Sequence, residues 1–332
     1  MAKKIWVVLQ QRDGKLHRMS WEAVVAGQQL AALDGGEVTA VILGSGLEAS
    51  AEELASTALA GVHLVDNEAL ATYAPGPFIG ALAAAIEAEK PDLVIFPHTY
   101  QSVDFVPRLA QTVGAALVPE ITGFESADGS LVFRRPIMAG KLEAQVRAKG
   151  EGTVVISVQS GAFSPDELQS GSAAVLPLAI DLPELSADRE ILGVEEVGGE
   201  QVDLSQSEVV VAVGRGIGGA DNMGIIEELA GALGGEIGAS RPVIDSGWLP
   251  RDRQIGSSGQ TVAPKLYLAA GISGAIQHLV GMKGSKVIVA INKDASAPIF
   301  GIAQYGIVGD LHEIVPALTE AIREANTEEK ED

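Results

Sequence analysis

The sequence predicts an α/β protein of two Rossmann-like domains, each built on a parallel sheet, and three observations lead to this prediction. The chain has 332 residues, enough for two domains that each bury a core. Its first half alternates continuously apolar segments with amphipathic ones, the pattern of parallel strands covered by helices on both faces. A glycine-rich turn then follows an apolar strand that begins at Val209, where the alternation starts again.

The alternation predicts the elements of the first half in order. Strands are expected in KIWVVLQ, EVTAVILG, VHLVD and DLVIFPHT, and helices in WEAVVAGQQLAAL, AEELASTALA and PFIGALAAAIEAEK. VDFVPRLAQTVGAALV predicts another helix, and SLVFRRPIMAGKLEAQVRAK and GTVVISVQS predict a strand pair and a closing strand. The N-terminal domain should therefore span residues 1–190.

A segment without periodicity separates the two patterns. Pro, Ser and acidic residues accumulate between Ala162 and Ser207, which predicts a linker, placed at 191–207. The second domain is then expected at 208–325, with an acidic tail at 326–332.

Composition excludes several classes of function. The absence of cysteine excludes disulfides, thiolate metal sites and iron–sulfur clusters, and we predict no metal site. A net charge of −21 argues against a nucleic-acid surface, which needs clustered Lys and Arg. No apolar run has the length of a membrane span, and the N-terminus enters a strand without the apolar region of a signal peptide. We therefore expect a cytoplasmic protein.

The negative charge is unevenly distributed. Val209 to Asp310 contains eight acidic and eight basic side chains, so the whole excess lies elsewhere. A near-neutral segment with four arginines in an acidic chain suits an anionic cofactor.

A glycine motif opens that segment. Gly214, Gly216 and Gly219 form G-x-G-x-x-G after an apolar strand and before a helical pattern, which is the context of a dinucleotide fold. Helix N-termini there would offer N–H donors to phosphate. The second strand ends in Ser240 and Arg241, not in the acidic residue of an NAD site. Two ligands for this arginine remain open, the extra phosphate of NADP and a flavin ring.

A second turn of this kind follows the buried strand LYLAA. Gly271, Ser273 and Gly274 are predicted to cap a helix and to form another anion-binding turn. His278 follows Ser273 by little more than one helical turn, within reach of the same bound molecule. The alternative is that His278 is a core histidine satisfied by the protein itself.

The segment from Val209 to Leu318 resembles, almost without a gap, the FAD domain of the large (alpha) subunit of electron transfer flavoproteins. The resemblance is carried by GASRPVIDSGWLPRDRQIGSSGQTVAPKLYLAAGISGAIQHL and by VIVAINKDASAPIFGIAQYGIVGDL. The first half resembles that subunit's N-terminal domain more loosely, in its strand order and in FRRPIMAGK. The resemblance implies a heterodimer in which this chain's second domain, a DHS-like fold, holds one FAD. A beta subunit would complete the site and hold AMP or a second FAD.

The resemblance also implies roles for single residues. Arg241 should lie against the flavin ring, where its fixed cation favours the negative charge of the reduced ring. Ser258 corresponds to the residue whose hydroxyl bonds flavin N5, and His278 to a donor facing the C2 carbonyl. The other predicted contacts are Arg215, Ser273 and Gly274 for the pyrophosphate, Gln254, Gly256 and Ser257 for the flavin edge, Asn292 and Asp310 for the adenosine half, and Ser240, Gly271 and Gln277 in adjoining segments. Asn292 and Asp310 also have a plain alternative as strand-end turn residues.

The implied function is electron carriage, not substrate conversion. The FAD would accept electrons from dehydrogenases, as in fatty acid oxidation, and pass them to a membrane quinone oxidoreductase or a similar acceptor. Two alternatives remain, an NADH-dependent electron-bifurcating member of the family and an NADP-binding oxidoreductase. A non-redox nucleotide-binding module would explain the first domain alone. That domain lacks a glycine-rich phosphate loop, since VVLQQRDGKLH contains one glycine, so we expect an inert scaffold and docking surface that binds no nucleotide tightly.

Overall fold

The chain is described from a computed structural model, for residues 2–12, 14–138, 140–150, 152–178, 180, 191–193 and 202–328. It divides into two compact units, Met1–Glu195 and Glu196–Asp332. Residues 194–201, in the middle of the predicted linker, and 329–332, in the predicted tail, lie outside the described residues. The exact domain and linker boundaries therefore stay predictions.

The first unit is an α/β layer structure with a small additional sheet. Its elements in chain order are β1 (Lys3–Leu9), β2 (Gln11–Arg12), β3 (Lys15–Leu16), α1 (Arg18–Asp34), β4 (Gly36–Gly44), α2 (Glu48–Leu54), β5 (Gly61–Asp66), α3 (Pro75–Glu89), β6 (Leu93–Pro97), α4 (Tyr100–Thr112), β7 (Ala116–Ile121), β8 (Gly123–Ala127), β9 (Ser130–Ile137), β10 (Leu142–Val146), β11 (Val154–Val158) and β12 (Val175–Pro177). Seven strands pair in parallel in the order β12-β5-β4-β1-β6-β11-β7. Strands β8 to β10 form an antiparallel sheet, and β2 pairs with β3.

The central strand β1 shows why the sheet is covered on both faces. Ile5, Val7 and Leu9 are buried in one hydrophobic core, and the intervening Trp6 and Val8 are buried in the other. Because side chains alternate across a strand, a continuously apolar strand needs an apolar layer on each side. The helices provide both layers.

Three strands differ from the prediction. Strand β7 occupies the end of a segment predicted as helix, because α4 stops at Thr112 and Gly114 turns the chain with a φ of +66°. Strand β11 does not close the sheet but lies between β6 and β7. Strand β12 forms at the opposite edge, within the segment that lacks periodicity.

The second unit is a five-stranded parallel sheet in the order β14-β13-β15-β16-β17. Its elements are β13 (Val209–Val213), α5 (Gly224–Leu233), β14 (Glu236–Ala239), α6 (Arg241–Asp245), β15 (Leu266–Ala270), α7 (Ile276–Leu279), β16 (Val287–Asn292), β17 (Tyr305–Val308) and α8 (Leu311–Glu328). As in the first unit, alternate strand residues face two separate cores, with Val211 and Val213 in one and Val210 and Ala212 in the other.

The predicted fold class, two Rossmann-like α/β units on parallel sheets, is confirmed. Among the described residues, none of the helices has both the length and the apolarity that a membrane crossing requires.

Candidate functional site

The predicted site residues gather at the carboxyl edge of the second unit's sheet. Strand β14 lies on one side of β13 and β15 on the other, so the strand order reverses at this point. Ligands of open α/β sheets bind at such a reversal, outside the carboxyl ends of the strands. At four strand ends, one further backbone hydrogen bond forms beyond the last strand residue. The Ser240 N–H donates to the Val213 carbonyl at 3.0 Å, and the Gly214 N–H donates to the Ala270 carbonyl at 2.8 Å. The Gly271 N–H donates to the Ile291 carbonyl at 2.9 Å, and the Gly309 N–H donates to the Asn292 carbonyl at 3.1 Å. The loops at this edge therefore start from fixed positions.

The glycines after β13 and β15 allow two turns to cross closely. A Cβ atom on Gly214 would lie 2.1 Å from the Gly271 carbonyl oxygen, and one on Gly216 would lie 2.8 Å from the Gly271 Cα. The Gly216 N–H donates to the Gly271 carbonyl at 3.1 Å. Gly271 itself has a φ of +66°, a conformation that favours glycine. Two glycines of the motif thus serve the contact between turns.

The predicted helix directly after the glycine motif is corrected by the structure. Two short 3₁₀ turns, Arg215–Ile217 and Ala220–Asn222, follow β13, and α5 begins only at Gly224. The run of glycines explains the delay, because each disfavours helix by about 1 kcal/mol relative to alanine. The N-terminus of α5 is therefore not adjacent to the motif.

The predicted cap of the second helix is also corrected. Helix α7 has only four residues, and Ala275 occupies the N-cap position without a side-chain bond. Ser273 does not cap it; its carbonyl instead accepts a bond from the Ile299 N–H at 3.1 Å. Gly274 packs against the same segment, where a Cβ atom would lie 2.3 Å from the Ile299 nitrogen. Gly271, Ser273 and Gly274 thus shape a turn, not a helix N-terminus.

The loop after Arg253 presents hydroxyl groups at this edge. Ser257 and Ser258 are exposed, and Gln254 is buried beneath them. The Gln254 side-chain amide donates to Ser258 Oγ at 3.0 Å. Because that oxygen already accepts a bond, the Ser258 hydroxyl proton is left to donate elsewhere.

Backbone contacts hold the same loop on both sides. The Ile255 N–H donates to the Ala239 carbonyl at 2.9 Å, and the Ser257 N–H donates to the Gln277 carbonyl at 2.8 Å. Gly256 has a φ of +136°, and a Cβ atom there would lie 2.7 Å from the Gln277 carbonyl oxygen. The loop is therefore fixed between β14 and α7.

Two guanidinium groups follow the adjacent strands β13 and β14. The Arg241 side chain is 68% exposed and contacts the Asp245 carboxylate, one helical turn on, at 3.3 Å. Such an exposed pair contributes little to stability, so the guanidinium can be shared with a ligand. Arg215 is exposed and forms no ion pair within the described residues. The adjoining Ser240 is buried.

The two residues predicted for the adenosine half have contacts within the protein. Asn292 donates to the Ile272 carbonyl at 2.9 Å and accepts from the Asp294 N–H at 3.0 Å. Asp310 accepts from the His312 N–H at 2.9 Å, as an N-cap of α8 does. These are contacts of strand-end turn residues, and the adenosine assignment stays a prediction.

His278 is buried and bonded at both ring nitrogens. Nδ1 lies 3.1 Å from the Ile255 carbonyl oxygen, and Nε2 lies 2.9 Å from the Tyr267 hydroxyl. Burial lowers its pKa to about 4, so the ring is neutral near pH 7. Bonds of this kind are those of a core histidine, the alternative to a flavin contact. The donation from His278 to a flavin carbonyl that the resemblance implies stays a prediction.

Sequence reasoning missed Tyr267 as part of this edge. It lies inside the apolar strand β15 and is fully buried. The signal was present, because a phenol in a buried strand needs a hydrogen-bond partner. What the sequence did not contain was the identity of that partner, 11 residues further along the chain.

The exposed groups of the site are mostly donors. They are the guanidinium groups of Arg215 and Arg241, the hydroxyl groups of Ser257, Ser258 and Ser273, and the Gln277 amide, with the Asp310 carboxylate as the exposed acceptor. The guanidinium and hydroxyl groups suit a ligand with negative charge and many acceptor atoms. Within the part of the chain that the structure describes, no three His, Asp or Glu side chains are grouped to hold a metal ion.

Comparison with known proteins gives matches to one family over both units. The Electron transfer flavoprotein domain matches residues 5–182, and the Electron transfer flavoprotein FAD-binding domain matches residues 203–283. The chain is 38% identical to the electron transfer flavoprotein subunit alpha of Thermoanaerobacterium thermosaccharolyticum over 325 residues, 97% of this chain and 98% of that protein. It is 37% identical to the subunit alpha of Bacillus subtilis, over 98% of this chain and 99% of that protein.

Among solved structures, a thiamine diphosphate-dependent 4-hydroxybenzoylformate decarboxylase from Rhodococcus jostii pairs with 92% of this chain and 53% of its own, at 12% identity. Its TM-score of 0.25 carries no argument about this protein. The sequence matches extend over nearly the full length of chain and relatives alike. The chain therefore belongs to the electron transfer flavoprotein alpha subunit family.

Proposed function

We propose that the second unit binds one FAD at the carboxyl edge of its sheet and that the chain, paired with a beta subunit, carries electrons between proteins. One observation carries the proposal: exposed cations and hydroxyl donors meet at the point where the strand order reverses. Membership of the family and the match of its FAD-binding domain to residues 203–283 support the same ligand.

The donor set fits the chemistry of FAD. The pyrophosphate is anionic, and the edge of the isoalloxazine ring presents carbonyl oxygens and an unprotonated N5, all acceptors. The exposed groups at the edge include four that can donate to these acceptors, Arg215, Arg241, Ser257 and Ser258. When bound, the flavin supplies one- and two-electron redox chemistry that no side chain of this chain can perform.

The protein's own contribution is binding and electrostatics. Arg241 provides a fixed cation that favours added negative charge nearby. Ser258 provides a hydroxyl whose proton can be donated to a ligand, because its oxygen accepts from the Gln254 amide. Arg215 and the turn at Ser273 are proposed for the pyrophosphate, and Asn292 and Asp310 for the adenosine half.

The partners belong to the same proposal. Relatives named as alpha subunits support a beta subunit, which would hold AMP in a simple shuttle or a second FAD in a bifurcating complex. Electron donors among dehydrogenases, a membrane quinone oxidoreductase as acceptor, a role in fatty acid oxidation and a cytoplasmic location stay predictions. The residues that decide between shuttle and bifurcation lie in the partner chain.

The experiment is to co-express this chain with the neighbouring beta-subunit gene product and to count flavins per heterodimer. One FAD plus AMP supports the shuttle, and two FAD support the bifurcating alternative. A colourless complex that does not take up added FAD but binds NADPH in a titration would favour the NADP-binding alternative.

Replacing Arg241 by alanine should make the flavin harder to reduce. Loss of a nearby cation removes stabilisation of the reduced, negatively charged ring, and about 1.4 kcal/mol corresponds to about 30 mV for a two-electron couple. We expect the midpoint potential to fall by tens of millivolts in a dye-coupled redox titration. The control is Arg323→Ala. Arg323 is an exposed arginine in the second half of α8, and it is paired with Glu228 on α5. Equal potentials in the two variants would remove Arg241 from the flavin face.

A further inference from the structure

The side chain of Gln260 joins the loop that bears Ser257 and Ser258 to another part of the chain. Its Nε2 donates to the Val202 carbonyl at 2.9 Å and also to the Asp252 carbonyl. Because a carbonyl oxygen can only accept, the group that faces both is the NH₂ of the carboxamide, and each of its two protons has an acceptor. One half-buried side chain therefore bonds two separate backbone segments.

The backbone of the same residue closes the loop. The Gln260 N–H donates to the Gln254 carbonyl at 2.7 Å, and the Gln260 carbonyl accepts from the Gly256 N–H at 3.1 Å. Between them, the Gly259 N–H donates to the Gly256 carbonyl at 3.0 Å, which makes a four-residue turn with the two serines at its centre. The position of Gln260 therefore determines the position of the turn.

The segment that Gln260 reaches is itself fixed. Val202 lies in the stretch predicted as a linker, and its N–H donates to Asp252 Oδ2 at 3.4 Å. Its side chain packs on the hydrophobic core that contains Leu204 and Ile255, both buried. Both polar groups of the Val202 backbone are thus bonded, and the carboxamide connects the turn to a chain segment that is anchored in the core.

We propose that Gln260 is a positioning residue of the flavin site, which fixes the turn and so places the Ser258 hydroxyl. The inference rests on the proposed FAD site at this edge, and it needs no contact between Gln260 and the flavin. Ser258 Oγ accepts from the Gln254 amide at 3.0 Å, and the Gln254 carbonyl accepts from the Gln260 N–H. A shift of Gln260 would therefore displace Gln254 and the hydroxyl that it holds.

The test removes the two donors, with Gln260→Met in the full chain together with its beta subunit. Methionine keeps the length of the side chain and carries no charge, but it leaves the Val202 and Asp252 carbonyls without this donor. The turn can then shift in the free protein, and FAD binding must restore it, so we expect FAD to bind about tenfold more weakly. The matched control is Gln206→Met, which removes an exposed amide 3.5 Å from the Asp203 carboxylate and should leave the affinity unchanged. Equal affinities in the two variants would overturn the proposal.

The midpoint potential of the bound flavin separates positioning from general loosening of the unit. Measured with FAD at saturation, the potential of Gln260→Met should differ from that of the parent in the same direction as the potential of Ser258→Ala does. If Gln260 acts by placing that hydroxyl, adding Gln260→Met to Ser258→Ala should change the potential no further. Shifts that add in the double variant would overturn the proposal. A lower melting temperature with an unchanged potential in Gln260→Met would show a structural role only and also overturn it.

Hydrogen exchange of the complex without flavin tests the loop itself. The N–H groups of Gly256, Gly259 and Gln260 each donate within the loop, and they should exchange faster in Gln260→Met than in the parent or in Gln206→Met. Equal exchange in all three proteins would overturn the proposal. Failure of the parent complex to bind any FAD would instead refute the proposed function and, with it, the role of Gln260 at the flavin, while the exchange rates would still show whether Gln260 holds the loop.

Discussion

Replacing Gly214 by alanine is expected to lower the free energy of unfolding of the second unit by about 3 kcal/mol, the upper end of overpacking costs. The added methyl would lie 2.1 Å from the Gly271 carbonyl oxygen and 2.7 Å from the Ile272 Cα, both backbone atoms. Backbone cannot rotate away as a flexible side chain can, so the two turns must separate. The Gly216 to Gly271 hydrogen bond should be lost with them.

The matched control is Gly219→Ala, the third glycine of the same motif. A Cβ atom there meets nothing within 4 Å, and its extended backbone, with φ at 175°, suits any residue. We expect a gain of about 0.5 kcal/mol, because alanine restricts the unfolded chain. Hydrogen exchange of peptides from β13 and β15 measures both variants. Equal protection in the two would show that the close crossing of the turns is not what requires glycine at position 214.

These glycines show what the sequence could and could not predict about the site. The motif's position after an apolar strand predicted a turn at the carboxyl edge, and the turn is there. The motif did not show that Gly214 and Gly216 must be glycine because they lie close to Gly271, which is 57 residues after Gly214. A contact between distant segments leaves no local pattern in the sequence. A glycine motif that binds phosphate and one that lets two backbone turns cross closely therefore look alike.

The same limit explains the errors in the fold. Strands β1, β4, β5 and β6 were predictable because each is a continuous apolar run beside an amphipathic helix. The position of β11 between β6 and β7 could not be predicted from a local pattern, because neither of these strands is adjacent to β11 in the chain. Likewise, the sequence showed His278 as an isolated imidazole and did not show that its ring bonds Tyr267 and Ile255, 11 and 23 residues earlier in the chain.

Stability of the first unit should fall as the pH rises from about 4.5 to 7, because of one buried carboxyl group. Glu22 on α1 is 1% exposed, and burial raises its pKa from 4.5 to about 7, opposed by the Gly161 N–H and by Arg18. Its Oε2 accepts from that N–H at 2.6 Å. The unfolded chain releases this proton near pH 4.5, whereas the folded chain retains it up to about pH 7.

The sign follows from that difference. Below pH 4.5 the carboxyl is protonated in both states, so its ionisation does not change the free energy of unfolding. Between the two pKa values the free energy of unfolding falls by about 1.4 kcal/mol per pH unit, about 3 kcal/mol in all. Glu22→Gln should remove this loss, because an amide stays neutral and its oxygen still accepts from the Gly161 N–H. The measurement is urea unfolding at pH 5 and pH 8, followed by the fluorescence of Trp6 and Trp21 in a Trp248→Phe background.

The control is Glu52→Gln, because it makes the same carboxyl-to-amide substitution in an exposed side chain. Subtracting the parent from each variant cancels the other titrating groups of the unit, including His63 and His98, whose pKa values burial lowers and which therefore destabilise the fold only as the pH falls. If Glu22→Gln shows the same difference between pH 5 and pH 8 as the parent, the carboxyl is already ionised in the folded protein. The Gly161 N–H and Arg18 would then outweigh burial, and the interior beside α1 would be more polar than its packing indicates.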